Sequence, residues 1–254
     1  MNPRIDLNCD LGEGFGVYSL GDDASIMPYV TSINIAAGFH AGDPSTIRET
    51  LELASKYKIN IGAHPGFPDL VGFGRRNMSM SPQEVYDLVL YQIGAVYGFT
   101  RAAGVDLIHV KPHGALYNMA AKDRLLADAI ALAIHRFDWN LIFVGLAGSE
   151  LIHAGQAIGL RTASEGFLDR NYEADGSLTP RSNPEAVIHD LESVSTRAVR
   201  WIRDGVVTAR TGERLTTAVE TLCIHGDSPN AVALCSRVRK SLADQAIDVE
   251  PLKH

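Results

Sequence analysis

Histidines and carboxylates in this chain recur at one kind of place. They close a short β-branched run, just before a loop rich in glycine or proline. The segments are Asp10-Leu11-Gly12-Glu13-Gly14, Gly38-Phe39-His40-Ala41-Gly42-Asp43, Gly62-Ala63-His64-Pro65-Gly66, Lys111-Pro112-His113-Gly114, Glu165-Gly166-Phe167-Leu168-Asp169-Arg170 and His225-Gly226-Asp227. Imidazoles and carboxylates move protons near neutral pH, and glycine lets the backbone approach a ligand closely. Asp10, His40, His64, His113, Glu165, Asp169, His225 and Asp227 are therefore the acid–base candidates. Lys111 shares one face of its run with His109 and His113, so its charge must pair with a carboxylate or hold an anion. Asp10, Glu165 and Asp227 are its available partners. Asp169-Arg170 and Arg75-Arg76 carry the planar forks that clamp a substrate carboxylate. Asp10, His40 and His64 would suit a borderline divalent ion such as zinc.

Other chemistries lack their signatures. His109 and His113 have the spacing of a helical zinc pair, but Pro112 and the β-branched context exclude a helix there, and His109 reads as structural. No G-x-x-x-x-G-K-[ST] phosphate loop, H-E-x-x-H or G-x-S-x-G is present, and Gly12-Glu13-Gly14-Phe15-Gly16 has its third glycine one residue early for a dinucleotide fingerprint. His135, His153, His189 and His254 fall in helical patterns or the tail and read as surface residues.

The elements that position these residues alternate. Strands are expected over Arg4–Asp10, Ser32–Ala37, Ile59–His64, Leu107–Lys111, Leu141–Val144, Gly159–Glu165 and Thr221–His225. Helical patterns lie between them: Pro44–Tyr57, a helix opened by Ser81-Pro82-Gln83-Glu84 and stopped by Gly104, Lys122–Arg136, Ser149–Ile158, Pro184–Asp204 and Pro229–Ala243. A hairpin is expected over Val206–Leu215. This rhythm implies parallel strands joined by right-handed crossovers. Strands covered by helices on both faces would be apolar throughout, yet Asp6, Asn8 and Asp10 share one face of the first strand, and Asn34, Asn60 and Lys111 recur on polar faces of the others. A polar face hidden from the helices belongs in the lumen of a barrel, whose strand ends hold active sites. A single (β/α) barrel over 1–254, seven-stranded, is the expected architecture.

Of 254 residues, 46% are hydrophobic and the net charge is −7, which suits a soluble globular chain and argues against a nucleic-acid binder. No apolar run approaches the length of a membrane span. Three widely spaced cysteines, Cys9, Cys223 and Cys235, favour free thiols in a reducing, cytoplasmic compartment.

Long ordered motifs resemble the LamB/YcsF family. They are Asp6–Glu13, Asn34–Asp43, Gly62–Asp69, Gly72–Arg76, Val110–Asn118 and Cys223–Asp227, and the likeness spans roughly Ile5 to Leu242. The chain departs from the family at Ala37, commonly Cys, and at Leu168, commonly Ala, so no cysteine nucleophile can act at position 37. The resemblance implies a barrel like those of glycoside hydrolases and deacetylases. It implies ATP-dependent opening of 5-oxo-L-proline to L-glutamate, with ATP and its Mg, and with partner subunits B and C. On that reading Asp10, His40, His64 and His113 surround the lactam, Lys111 and Arg170 bind anionic groups, and Glu165, Asp169, His225 and Asp227 orient or act as acid and base. Asn8, Glu13, Arg75, Arg76 and Asn118 join Arg170 as substrate-binding candidates. A metal-dependent deacetylase acting alone and a non-catalytic substrate-binding subunit are the alternatives, and self-association is compatible with each.

Overall fold

Seven parallel strands close on themselves in the computed structural model, which describes residues 2–227 and 230–253. The elements run β1 (Arg4–Leu11), α1 (Asp23–Ile26), a 3-10 turn (Met27–Tyr29), β2 (Ser32–Ala36), α2 (Pro44–Ala54), β3 (Asn60–His64), α3 (Pro82–Ala103), β4 (Leu107–Val110), α4 (Gly114–Ala120) and α5 (Arg124–Phe137). They continue with β5 (Ile142–Leu146), α6 (Glu150–Ala157), β6 (Thr162–Phe167), α7 (Leu191–Asp204), β7 (Val206–Thr208), β8 (Arg214–Thr216), β9 (Thr221–Cys223), α8 (Ala231–Asp244) and β10 (Asp248–Val249). The ring order is β1-β2-β3-β4-β5-β6-β9, and β9 returns to β1 with Asp6 opposite Thr221 and Asn8 opposite Cys223. β10 lies outside the ring, parallel to the start of β1. β7 and β8 form the expected hairpin.

All seven expected strands are staves of the ring, with small shifts at their ends. The helix over α3 begins at a capping box of Ser81 with Glu84 and stops at Gly104 in the left-handed region, as its sequence predicts. Two expectations need correction. The helix expected from Pro184 starts only at Leu191, because Asp190 caps it and the preceding backbone pairs elsewhere: Ile188 N donates to Asp169 O at 2.8 Å and Asn171 N to Ala186 O at 3.0 Å. His189 therefore sits in a non-helical strap, exposed. Directly after β4 the chain forms the helix α4, where Pro112-His113-Gly114 suggests only a turn. Pro229, where the last helix is expected to start, and His254 lie outside the described residues.

The lumen is polar from end to end, and this fixes the register. At its base Asp6 Oδ1 accepts from the hydroxyls of Thr31 (2.8 Å) and Ser32 (2.6 Å), and Asp6 Oδ2 from Thr221. One layer up, Asn34 Nδ2 donates to Asn8 Oδ1 and Asp10 Oδ1, both at 2.8 Å, while His109 Nε2 donates to Asn34 Oδ1 at 2.7 Å. Position 62 must be glycine for this: a Cβ there would stand 2.1 Å from His109 Nε2. The apolar alternates of β1, Ile5, Leu7, Cys9 and Leu11, belong to the hydrophobic core. A one-residue slip in any stave would exchange the two sets, which is why the register is firmly specified.

His109 is structural, as expected. Burial, with Lys111 nearby, holds its imidazole down at about 3 against an ordinary 6.5. The unfolded chain takes up that proton first, so this group's contribution is intact above pH 6.5 and is lost as pH falls from 6.5 toward 3. Asp6 has the opposite sign: burial pushes it up to about 6 from 3.8, so its contribution is full below 3.8 and lost as pH rises through 6. Comparing thermal unfolding of wild type with His109→Gln across pH isolates the histidine. The wild type should lose stability faster on acidification by up to about 1.4 kcal/mol per pH unit. Parallel pH profiles would show that His109 is not held neutral.

Candidate active site

Every loop that leaves the C-terminal end of β1, β2, β3, β4, β6 or β9 delivers at least one ionisable side chain to the same mouth. Lys111, just past β4, is the hub. Its ammonium is 2% exposed and contacts Asp10 Oδ1 at 2.9 Å, Glu165 Oε1 at 2.8 Å and Asn8 Oδ1 at 3.1 Å. Phe167 lies beneath it, with the ring centroid 5.2 Å from Nζ. Burial alone would lower the Lys111 pKa, but Asp10, with Cys223 and Glu165, outweighs it and raises it well above the ordinary value. Asp10 mirrors this: burial would raise it, and His64 with Lys111 holds it well below the usual carboxylate range. Glu165 has both oxygens in use, since Oε1 also accepts from Asn8 Nδ2 (3.0 Å) and Oε2 from the Tyr117 hydroxyl (2.7 Å).

Beside this ion cluster stand three imidazoles and a carboxylate. His40 and His113 stack at 3.8 Å, and His64 meets each edge-on at 5.6 and 5.0 Å. Phe73 closes them from outside. Gly74 follows it in the left-handed region, and a Cβ there would come within 2.7 Å of His113 Nδ1. Ligand atoms of Glu13, His40, His64 and His113 all lie within 4.8 Å of one another.

Both nitrogens of His40, Nδ1 of His113 and Nε2 of His64 are buried without a hydrogen bond. His64 Nδ1 lies 2.6 Å from the Lys111 carbonyl, so that nitrogen donates to it and Nε2 is the atom turned to the cluster. Burial, with neighbouring imidazoles, holds His40 and His113 well below the ordinary imidazole value, in their ligating form. Burial and Asp10 push the Glu13 carboxyl well up, the sign of a site short of positive charge. Three imidazoles and one carboxylate fit a borderline divalent ion. The set differs from the expected Asp10, His40 and His64: Glu13 and His113 join the two histidines, while Asp10 has Oδ1 on Lys111 and Oδ2 3.3 Å from His64 Nε2. A second group, Asp10, Cys223 and His225, already has its cation, because Lys111 Nζ is 3.2 Å from Cys223 Sγ.

Both oxygens of Asp169 lie 2.9 Å from His225 Nδ1. Burial would raise the Asp169 carboxyl, and the His225 imidazole holds it below its ordinary value. Asp227 pairs with Arg75 at 2.6 Å, so of the three carboxylates available to Lys111 only Asp10 and Glu165 take it.

These side chains face a cavity of about 840 Å³. Asp10, Glu13, His64, Lys111, His113 and His225 line it, as do Arg75, Asn118, Arg170 and Asp227. His40, Asn8, Glu165 and Asp169 are buried and are not part of the lining. Arg76 is tied to Asp69 and is not part of the lining. Arg170 lines the cavity, but Nε and Nη2 donate to the carbonyls of Ala186 and Thr179. Tyr117 and Arg181 join the site without a signal in the strand-end motifs. The i+4 spacing of Tyr117 from His113 reveals it only once α4 is known to be a helix.

A closed ring of seven parallel strands with helices around it, an ionic lumen and a histidine-rich mouth defines a TIM-like α/β barrel. Its fold is shared with the catalytic domain of a peptidoglycan N-acetylglucosamine deacetylase from Eubacterium rectale, at TM-score 0.52 and 13% identity over 100% of this chain and 90% of that one. The chain belongs to the LamB/YcsF family, whose model matches residues 5–254. A relative from Bacillus subtilis (strain 168), the A subunit of 5-oxoprolinase, is 54% identical over 97% of this chain and 96% of its own. The structure of a lactam utilization protein from Thermus thermophilus superposes with TM-score 0.92 and 46% identity, over 98% of this chain and 100% of that one.

Lys111→Met should leave Asp10 and Glu165 as buried carboxyls without their cation, at a cost of about 3–5 kcal/mol. A denaturant midpoint equal to that of the wild type would refute this role for the ammonium.

Proposed function

We propose that this chain is the A subunit of a 5-oxoprolinase, which opens 5-oxo-L-proline to L-glutamate. The observation that carries the reading is the convergence of two His–Asp pairs, His64–Asp10 and His225–Asp169, on one cavity. Opening a lactam adds water across an amide, so it needs one group to take a proton and another to give one to the departing nitrogen. Asp10 is placed to take the proton. Its Oδ1 is held by Lys111 and Asn34, while Oδ2 stands 3.3 Å from His64 Nε2. Lys111 keeps that carboxylate ionised. His225 is placed to give a proton, with Nδ1 on Asp169 and Nε2 left for the cavity it lines. A divalent metal held by Glu13, His40, His64 and His113 would polarise the amide carbonyl and acidify water.

An unactivated lactam is stable, so coupling to ATP makes opening favourable. The sequence contains no G-x-x-x-x-G-K-[ST] loop, and we assign ATP and its Mg to the enzyme assembled with subunits B and C. Cys9, Cys223 and Cys235 are free and buried, and no helix among the described residues is long and apolar enough to cross a membrane. The free thiols suit a cytoplasmic enzyme. The His and Glu group favours one second reading, a metal-dependent amidohydrolase acting alone.

The test is glutamate formation from 5-oxo-L-proline by this chain alone and with subunits B and C, with and without ATP, alongside metal analysis. Turnover that requires ATP and all subunits is expected, and His225→Ala should lower kcat by roughly 10²–10⁴-fold. ATP-independent amide cleavage by the isolated chain would favour the second reading. Folded, assembled subunits that form no glutamate would overturn the first.

A further inference from the structure

Five cationic side chains line the cavity among the described residues: Arg75, Lys111, Lys122, Arg170 and Arg181. Four are engaged. Lys111 is held by Asp10 and Glu165, Arg75 by Asp227, and Lys122 by Asp175 at 3.1 Å. Arg170 is buried in the strap between β6 and α7, where it bridges Val187 and binds the carbonyls of Thr179 (2.6 Å) and Ala186 (3.2 Å). It ties the strap together. Arg181, carried on that strap, has no ion pair or hydrogen bond among the described residues.

We propose that Arg181 receives the carboxylate of the substrate and so makes the site selective for a lactam that carries one. This rests on the ring-opening reading above. Arg181 is an exposed residue, yet its guanidinium is partly desolvated and feels the charges of Arg75 and, more weakly, Asp227, Asp169 and Asp10. Arg170 and Arg181 also repel each other. Like charges converging on one cavity are relieved by a bound anion, and an unpaired guanidinium fork matches a carboxylate. A single five-membered ring fills only part of this cavity, so a charged anchor is needed to hold its amide near Asp10 and His225. An anion on the strap leaves the ring on the barrel side, where those residues lie. The expected Asp169-Arg170 clamp is thereby replaced: Asp169 positions His225, Arg170 positions the strap, and Arg181 meets the substrate.

The test is steady-state glutamate formation by the assembled enzyme. Arg181→Leu should raise KM for 5-oxo-L-proline by roughly 10–100-fold and change kcat by less than about threefold. Arg181→Lys should recover part of the KM, because it restores charge without the fork. With 2-pyrrolidinone, which lacks the carboxylate, wild type and Arg181→Leu should have equal kcat/KM. Arg170→Leu provides the contrast of a lowered Tm. An unchanged KM in Arg181→Leu, or a loss confined to kcat, overturns the assignment while wild-type turnover upholds the reaction. A wild-type assembly that forms no glutamate overturns the reaction itself.

Discussion

A lysine ammonium sealed inside a barrel is the constraint from which the rest of this structure follows. Burying a charge without compensation is prohibitive, so Lys111 requires anionic partners from opposite sides of the ring. Asp10 comes from β1 and Glu165 from β6. Those carboxylates in turn need donors for their remaining oxygens, which Asn34, Asn8 and Tyr117 supply. The polar lumen is a chain of such obligations, running down to Asp6 and its three hydroxyls. Because each member is partnered, the network specifies one alignment of the staves.

The same ammonium divides the mouth into two chemical territories. On one side it supplies the positive charge that Asp10 requires and donates to Cys223 Sγ at 3.2 Å. On the other, His40, His64 and His113 keep buried nitrogens without a hydrogen bond, and a Glu13 carboxylate oxygen lies within 4.8 Å of their ligand atoms. The glycine-rich loops serve this second territory, where the backbone after Phe73 must pass against His40 and His113. A His–Asp pair borders each territory, His64 with Asp10 and His225 with Asp169, and both histidines line the one cavity.

Much of this is legible in the residues. The alternation of Asp6, Asn8 and Asp10 with apolar neighbours shows a hidden polar face, since neither water nor helices could be the partner. Lys111 between His109 and His113 predicts an inward cation, and the strand-end carboxylates Asp10 and Glu165 are its natural partners. What escapes depends on contacts distant in sequence. The strap is ordered by Arg170 reaching the Thr179 and Ala186 carbonyls, which no local pattern announces. Whether Asp10 or Glu13 faces the imidazoles is decided by how the β1 loop turns after Gly12 (φ 68°). Arg76 looks like a clamp by type, and its use on Asp69 requires the folded loop.

The closing seam joins β1 to β9, so Asp6 finds Thr221 across a separation of 215 residues. During synthesis the first stave leaves the ribosome long before the last one exists. Thr31 and Ser32 can already hold one oxygen of Asp6, but until then its other oxygen lacks Thr221 and the ring around Lys111 is unfinished. A polypeptide that ends before β9 lacks the stave that pairs with both β1 and β6, and with it Thr221 and Cys223. Closure of the ring therefore waits for one of the last elements of the chain to be made.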